Sequence, residues 1–133
     1  MTPTSRLLEN QSSLGKPKFV DRTEALAPGL SKTGLVTSAL WTDANGDGWL
    51  DLVVTHEWGP VKLYQNTQGK LADRTKEAGL GALLGWWNGI AGSDIDGDGD
   101  LDYLATNFGL NTKYKASADK PELLYYGDFD GTG

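Results

Sequence analysis

The amino-acid sequence predicts an all-β fold built from repeated strand units, a propeller or solenoid array. Three observations predict it. A nine-residue acidic loop occurs twice, starting at Asp43 and again at Asp94, 51 positions later. Each loop runs into a short apolar or β-branched stretch, Leu50-Asp51-Leu52-Val53-Val54-Thr55 and Leu101-Asp102-Tyr103-Leu104-Ala105-Thr106. Phe19-Val20-Asp21-Arg22-Thr23 also returns as Leu71-Ala72-Asp73-Arg74-Thr75, followed by Gly29-Leu30 and Gly79-Leu80 respectively.

In chain order, residues 1–17 read as a flexible arm, and residues 18–133 as the repeat segment. Its units fall at about 18–69, 70–120 and a partial 121–133. Leu35–Thr42 is the inner strand of the first unit and Leu50–Glu57 the second. Gly59-Pro60 punctuates the next connection. Val61–Gln65 is the third strand, Asn66-Thr67-Gln68-Gly69 a turn, and Lys70–Thr75 the outer strand. The second unit begins with Trp87–Ser93, rich in small residues, and continues through Leu101–Phe108. Asn111–Lys120 is polar and lacks alternation, so it reads as a loop. Leu123–Tyr126 opens a third unit, whose loop begins at Asp128 and reaches only its sixth position at Gly133. Helix is confined to single turns near Glu24–Leu26 and Lys76–Ala78.

Composition narrows the chemistry. The chain has 133 residues, one histidine, no cysteine and a formal charge of -6. Without cysteine there are no disulfides, thiolate zinc sites, iron–sulfur clusters or cysteine nucleophiles. An acidic chain is a poor non-specific partner for phosphate backbones, so no nucleic acid is expected. No stretch approaches the ~18 apolar residues of a membrane span, and Met1–Asn10 contains no apolar signal core.

Ten of the 18 acidic residues lie in three windows, Asp43–Asp51, Asp94–Asp102 and Asp128–Gly133. An acidic run is most often a solvated loop. Here the spacing points elsewhere. Asp43, Asn45, Asp47 and Asp51 stand at loop positions one, three, five and nine, as do Asp94, Asp96, Asp98 and Asp102. Glycine occupies positions four and six of both. Oxygen-only donors suit a hard cation, and six to eight of them at ~2.3–2.6 Å favour Ca2+ over Mg2+. Trp49 and Asp100, at position seven, would each add a backbone carbonyl. About two calcium ions per chain are therefore expected. EF-hand-like readings fail, because position twelve is Val54 or Ala105 rather than glutamate and strands, not helices, follow.

The two loops, their flanking strands, the Phe-x-Asp-x-Thr-type outer strand and the Gly-Leu after it resemble FG-GAP/VCBS repeats, the blades of integrin-type β-propellers. Asn107–Lys115, before a further Asp-x-Asp-Gly loop, is similar to bacterial ASPIC/UnbV-like proteins. The resemblance implies four-stranded antiparallel blades with calcium between the first two strands. It implies about two to two and a half blades in this chain, where a closed ring has about 4–8. Self-association into a ring, or missing blades of a longer parent protein, would make up the difference.

Catalytic signals are sparse. His56 lies beside Glu57 and Trp58, but a bonded strand histidine is the commoner use of that arrangement. No nucleophile elbow or phosphate-binding glycine loop occurs. Among the aromatics, Trp41 and one of Trp86 and Trp87 are expected to pack between units, while Trp58 and Tyr114 are the better candidates for ligand stacking. The expected function is a calcium-binding propeller segment, a structural or ligand-binding module without catalysis, in an extracellular or periplasmic bacterial parent. It would take a protein or carbohydrate ligand. The alternatives are a non-catalytic part of a propeller enzyme such as a polysaccharide lyase, or a self-assembling propeller fragment.

Overall fold

A computed structural model describes residues 3–109, 111–125, 127, 130 and 131. The described chain is strand-rich, with one four-residue helix and two single turns of 3-10 helix. Its strands are β1 (Leu8–Asn10), β2 (Phe19–Asp21), β3 (Leu35–Thr42), β4 (Asp51–Glu57), β5 (Gly59–Pro60), β6 (Lys62–Thr67), β7 (Lys70–Asp73), β8 (Leu84–Gly85), β9 (Trp87–Ser93) and β10 (Asp102–Asn107).

The central unit is an antiparallel sheet of four strands in the order β3-β4-β6-β7. Thr42 pairs with Asp51 across the first acidic loop, and Tyr64 bridges Leu52 on one side and Asp73 on the other. β4 is buried on both faces, which is why Leu52, Val53 and Val54 follow one another without alternation. Asn66 and Thr67, expected in a turn, belong to β6. Gln68 (φ 53°) and Gly69 (φ 89°) alone make the turn, in the left-handed pair of a two-residue hairpin.

Side-chain alternation gives the central sheet two faces. Leu52, Val54, Tyr64 and Leu71 pack with Ala27 and Leu30, and Leu7 of the N-terminal segment leans on this core. On the other face β9 and β10 lie against β3. A Cβ on Gly92 would stand 3.4 Å from Leu40 Cδ2, and the Thr42 and Tyr103 hydroxyls share a 2.7 Å hydrogen bond. The small residues of β9 permit this approach.

The N-terminal segment departs from the expected loose arm. β1 pairs with β2, Leu8 opposite Asp21 and Asn10 opposite Phe19. The loop between them is closed by Gln11 N–H donating to Lys18 O at 2.8 Å. This hairpin repeats the outer hairpin of the central unit. Arg22 N–H donates to Leu7 O and Arg74 N–H to Leu63 O. The Thr23 and Thr75 hydroxyl oxygens accept from Leu7 and Leu63 N–H. Asp21 and Asp73 accept from the N–H of the threonine two residues on. The sequence signal is Arg6-Leu-Leu-Glu-Asn10 set against Lys62-Leu-Tyr-Gln-Asn66, diluted by a connecting loop longer than the Gln68-Gly69 turn.

β9 and β10 form a two-stranded sheet with Asp102 opposite Ser93, the register of Asp51 and Thr42. Residues 111–120 are loop, as expected. Leu123, Leu124 and Tyr125, expected to open a third unit, are exposed and carry no strand. Tyr126 and most of the third acidic loop (Asp128, Phe129, Thr132 and Gly133) lie outside the described residues.

Candidate metal centre

Both acidic loops join an inner strand to the second strand of its unit, at the same end of the sheets. Each curls through two left-handed glycines, Gly46 and Gly48 (φ 72° and 85°) and Gly97 and Gly99 (φ 79° and 97°). A residue with a Cβ would pay about 1–2 kcal/mol for each such conformation. The curl turns the alternate oxygen-bearing side chains inward.

The internal hydrogen bonds of the loops correspond. Asp43 Oδ2 accepts from Gly48 N–H at 2.8 Å, and Asp94 Oδ2 from Gly99 N–H at 3.1 Å. Asn45 Oδ1 accepts from Asp47 N–H and Asp96 Oδ1 from Asp98 N–H. Asp47 Oδ1 and Asp98 Oδ1 accept from the N–H of Trp49 and Asp100. Asp51 Oδ2 and Asp102 Oδ2 reach back to Ala44 and Ile95 N–H, which closes each loop.

Carboxylate oxygens of Asp94, Asp96 and Asp102 lie within 4.8 Å of one another, the cluster of this kind found among the described residues. Asp98, expected as a fourth ligand, is not one of those three. Asp100 and Trp49 are exposed, and Asp100 carries a further charge beside the cluster. In the first loop Asn45 replaces an acid and its Nδ2 donates to Asp47 Oδ2 at 2.9 Å, which offsets part of the carboxylate repulsion. The donor set fits a hard cation. It consists of oxygen alone, and negative charges this close repel unless a cation lies among them.

Sequence reasoning missed Asn66. Its N–H donates to Asp51 Oδ1 at 2.7 Å and its Nδ2 to Leu50 O at 2.8 Å, so the third strand fixes the ninth loop position. Asp51 is fully buried as a result, while Asp102 is exposed.

His56 is buried in a bonded chain. Its Nδ1 donates to Pro60 O at 2.8 Å, since a carbonyl can only accept. Nε2 is then the acceptor of the Thr33 hydroxyl at 3.1 Å, and Thr33 in turn accepts from Tyr64 at 2.7 Å. Burial, reinforced by the Lys62 charge, holds the imidazole below its usual value of 6.5, against the opposing Pro60 bond and Asp73 charge. Burial likewise raises the Tyr64 phenol. At the sheet end opposite the acidic loops, Trp86 packs between Trp58 and Phe108, with centroids 5.4 and 5.5 Å apart. Trp58, a stacking candidate, is thus part of an aromatic cluster. Tyr114 lies under the Lys113 ammonium. Trp41, expected to pack between units, is exposed.

No curated protein matches the chain. A family model described as FG-GAP-like repeat matches residues 43–105, from the first ligand position of one loop through the second loop and into β10. The match ends before Asn107–Lys115, so the similarity to ASPIC/UnbV-like proteins expected for that stretch is not shown. Matched segment, duplicated loops and four-stranded meander agree, and together they support an FG-GAP-type repeat over residues 43–105, a repeat that forms β-propeller blades.

Proposed function

We propose that this chain is a calcium-binding propeller segment in which the ions brace the strand connections and do no chemistry. The observation that carries the reading is the repeated loop: two oxygen-only sets with matching hydrogen bonds, one gathering three carboxylates within 4.8 Å. Asp43, Asn45, Asp47, Asp51 and the Trp49 carbonyl would hold one ion. Asp94, Asp96, Asp98, Asp102 and the Asp100 carbonyl would hold the other.

A structural role follows from position. The loops lie between strands of one sheet, and their side chains bond chiefly to their own backbone. His56, the one histidine, has both ring nitrogens engaged in a buried chain, which supports a non-catalytic reading. Calcium outside the cytoplasm is abundant enough to fill even modules with dissociation constants of about 10⁻⁴–10⁻³ M. That, with the FG-GAP relationship, supports an exported protein whose propeller surface binds a protein or carbohydrate. Among the described residues no helix is long and apolar enough to cross a membrane.

Calorimetric titration of chelator-treated protein with calcium tests the reading. Two binding events are expected, and Asp98→Ala should abolish one of them. Absence of heat from the unsubstituted protein would overturn it.

A further inference from the structure

Two asparagines of the chain are followed by glycine, Asn45 before Gly46 in the first acidic loop and Asn88 before Gly89 in β9. Glycine has no Cβ to shield its backbone nitrogen, so such a pair can close on itself. The nitrogen attacks the asparagine Cγ, ammonia leaves, and a succinimide forms. How the fold holds the two groups decides where this happens.

At Asn45 the fold holds them together. The side chain is curled over its own backbone, with Oδ1 accepting from Asp47 N–H at 3.0 Å. That bond spans Gly46, so the ring it closes brings Cγ over the Gly46 nitrogen. The same N–H, shared with Asp43 Oδ1, points at the oxygen on which negative charge develops during attack. The leaving nitrogen, Nδ2, is held by Asp47 Oδ2 at 2.9 Å. Gly46 N–H donates to nothing among the described residues, and a Cβ on Gly46 would meet no atom within 4 Å. Asn45 itself is exposed, so water reaches the pair.

The comparable pairs lack this arrangement. The Asn88 side chain makes no hydrogen bond among the described residues, and Gly89 pairs with Thr106 in the β9–β10 ladder. In the second loop Asp96 is curled as Asn45 is, but Gly97 N–H is committed to Asp94 Oδ1 at 2.7 Å.

We propose that Asn45 is a self-modifying position, which deamidates in the metal-free folded chain in preference to Asn88. The Gly46 nitrogen gives up its proton and bonds to Cγ. The Cγ–Nδ2 bond breaks, and Nδ2 leaves with that proton as ammonia. Water then opens one of the two imide C–N bonds. Opening at Cγ leaves aspartate at position 45; opening at the backbone carbonyl leaves isoaspartate. The aspartate product gives the first loop four acidic side chains at its ligand positions, as in the second loop. It also removes the Nδ2 donor, so the carboxylates repel one another more and attract a cation more strongly. The isoaspartate product lengthens the backbone by one carbon, and the alternate side chains no longer converge. The effect on calcium rests on the function proposed above; the deamidation does not.

The test incubates the full chain with chelator in water enriched in heavy oxygen, at neutral pH, and follows its peptides by mass spectrometry. In the folded protein Asn45 should take up label several-fold faster than Asn88, and in guanidinium the gap should close. Equal labelling of the two in the folded protein, no label at Asn45, or a gap that persists in guanidinium would each overturn the proposal. Calorimetry of Asn45→Asp in an Asp98→Ala background, which isolates the first loop, should show calcium bound several-fold tighter than with Asn45. Equal or weaker binding would overturn the effect assigned to the modification. Absence of heat from both proteins would count against the calcium reading, and the labelling would still decide the deamidation.

Discussion

Thr33, His56 and Tyr64 show how single residues hold the central sheet. Two glycines clasp the His56 ring: a Cβ at Gly34 would stand 3.3 Å from Cδ2, and one at Gly59 3.1 Å from Cβ. His56→Phe would fit the cavity poorly, take from the Thr33 hydroxyl its acceptor and take from Pro60 O the Nδ1–H donor. A loss of about 1–3 kcal/mol is expected in chemical denaturation. The sign of the pH dependence follows from protons bound. The unfolded chain takes up a proton near 6.5 while the buried imidazole resists it, so the contribution is complete above that pH. It is lost as pH falls from 6.5 through the lower folded value. Melting temperature, followed in chelator so that metal loss does not intrude, should decline over that window. The His56→Phe variant should lack that decline, and equal slopes for the two proteins would contradict the neutral-imidazole assignment.

At the scale of the element, the two loops differ in support more than in sequence. Asp51 is buried and bonded to Ala44 and Asn66 N–H, so Asp51→Ala strands two donors and should destabilise the protein by about 1–3 kcal/mol even in chelator. Asp98 is exposed, and Asp98→Ala should be near neutral without metal. With calcium at 100 times its dissociation constant, each independent site adds about 2.7 kcal/mol, and the Asp98 variant should forfeit its share. Thermal melts of both variants with and without calcium separate these roles. An unchanged melt of unsubstituted protein after chelation would exclude a bracing ion. The acidic loops and β3, β4, β9 and β10 are legible in the sequence because oxygen spacing and apolar runs are local signals. Asn66 is not, because its role arises from strand pairing 15 residues away from Asp51. The β1–β2 hairpin is hidden for a related reason. Its three-residue strands carry little alternation, and its loop length differs from that of the repeat it copies.

For the whole molecule, the repeat implies an array, and the structure shows which sheet faces its own elements cover. Strands of an isolated sheet would leave apolar side chains such as Trp41, Leu52, Val54, Trp87, Tyr103 and Leu104 on open faces. Leu52 and Val54 are instead buried, because the N-terminal hairpin, α1 (Thr23–Leu26) and the turn at Leu30 cover their face. Trp41, Tyr103 and Leu104 remain exposed. The metal loops set a further comparison. The second loop has more acidic ligand positions, four against three, and charge alone favours tighter calcium binding there. Support works the other way. Asp102 is held by Ile95 N–H alone among the described residues, whereas Asp51 is buried and bonded to both Ala44 and Asn66 N–H. Calorimetric titration can separate the loops, with Asp47→Ala isolating the second and Asp98→Ala the first. Tighter binding at the second loop is the expected outcome, because each added carboxylate attracts the ion directly. Equal or weaker binding there would mean that the support Asn66 gives the first loop outweighs the extra charge of the second.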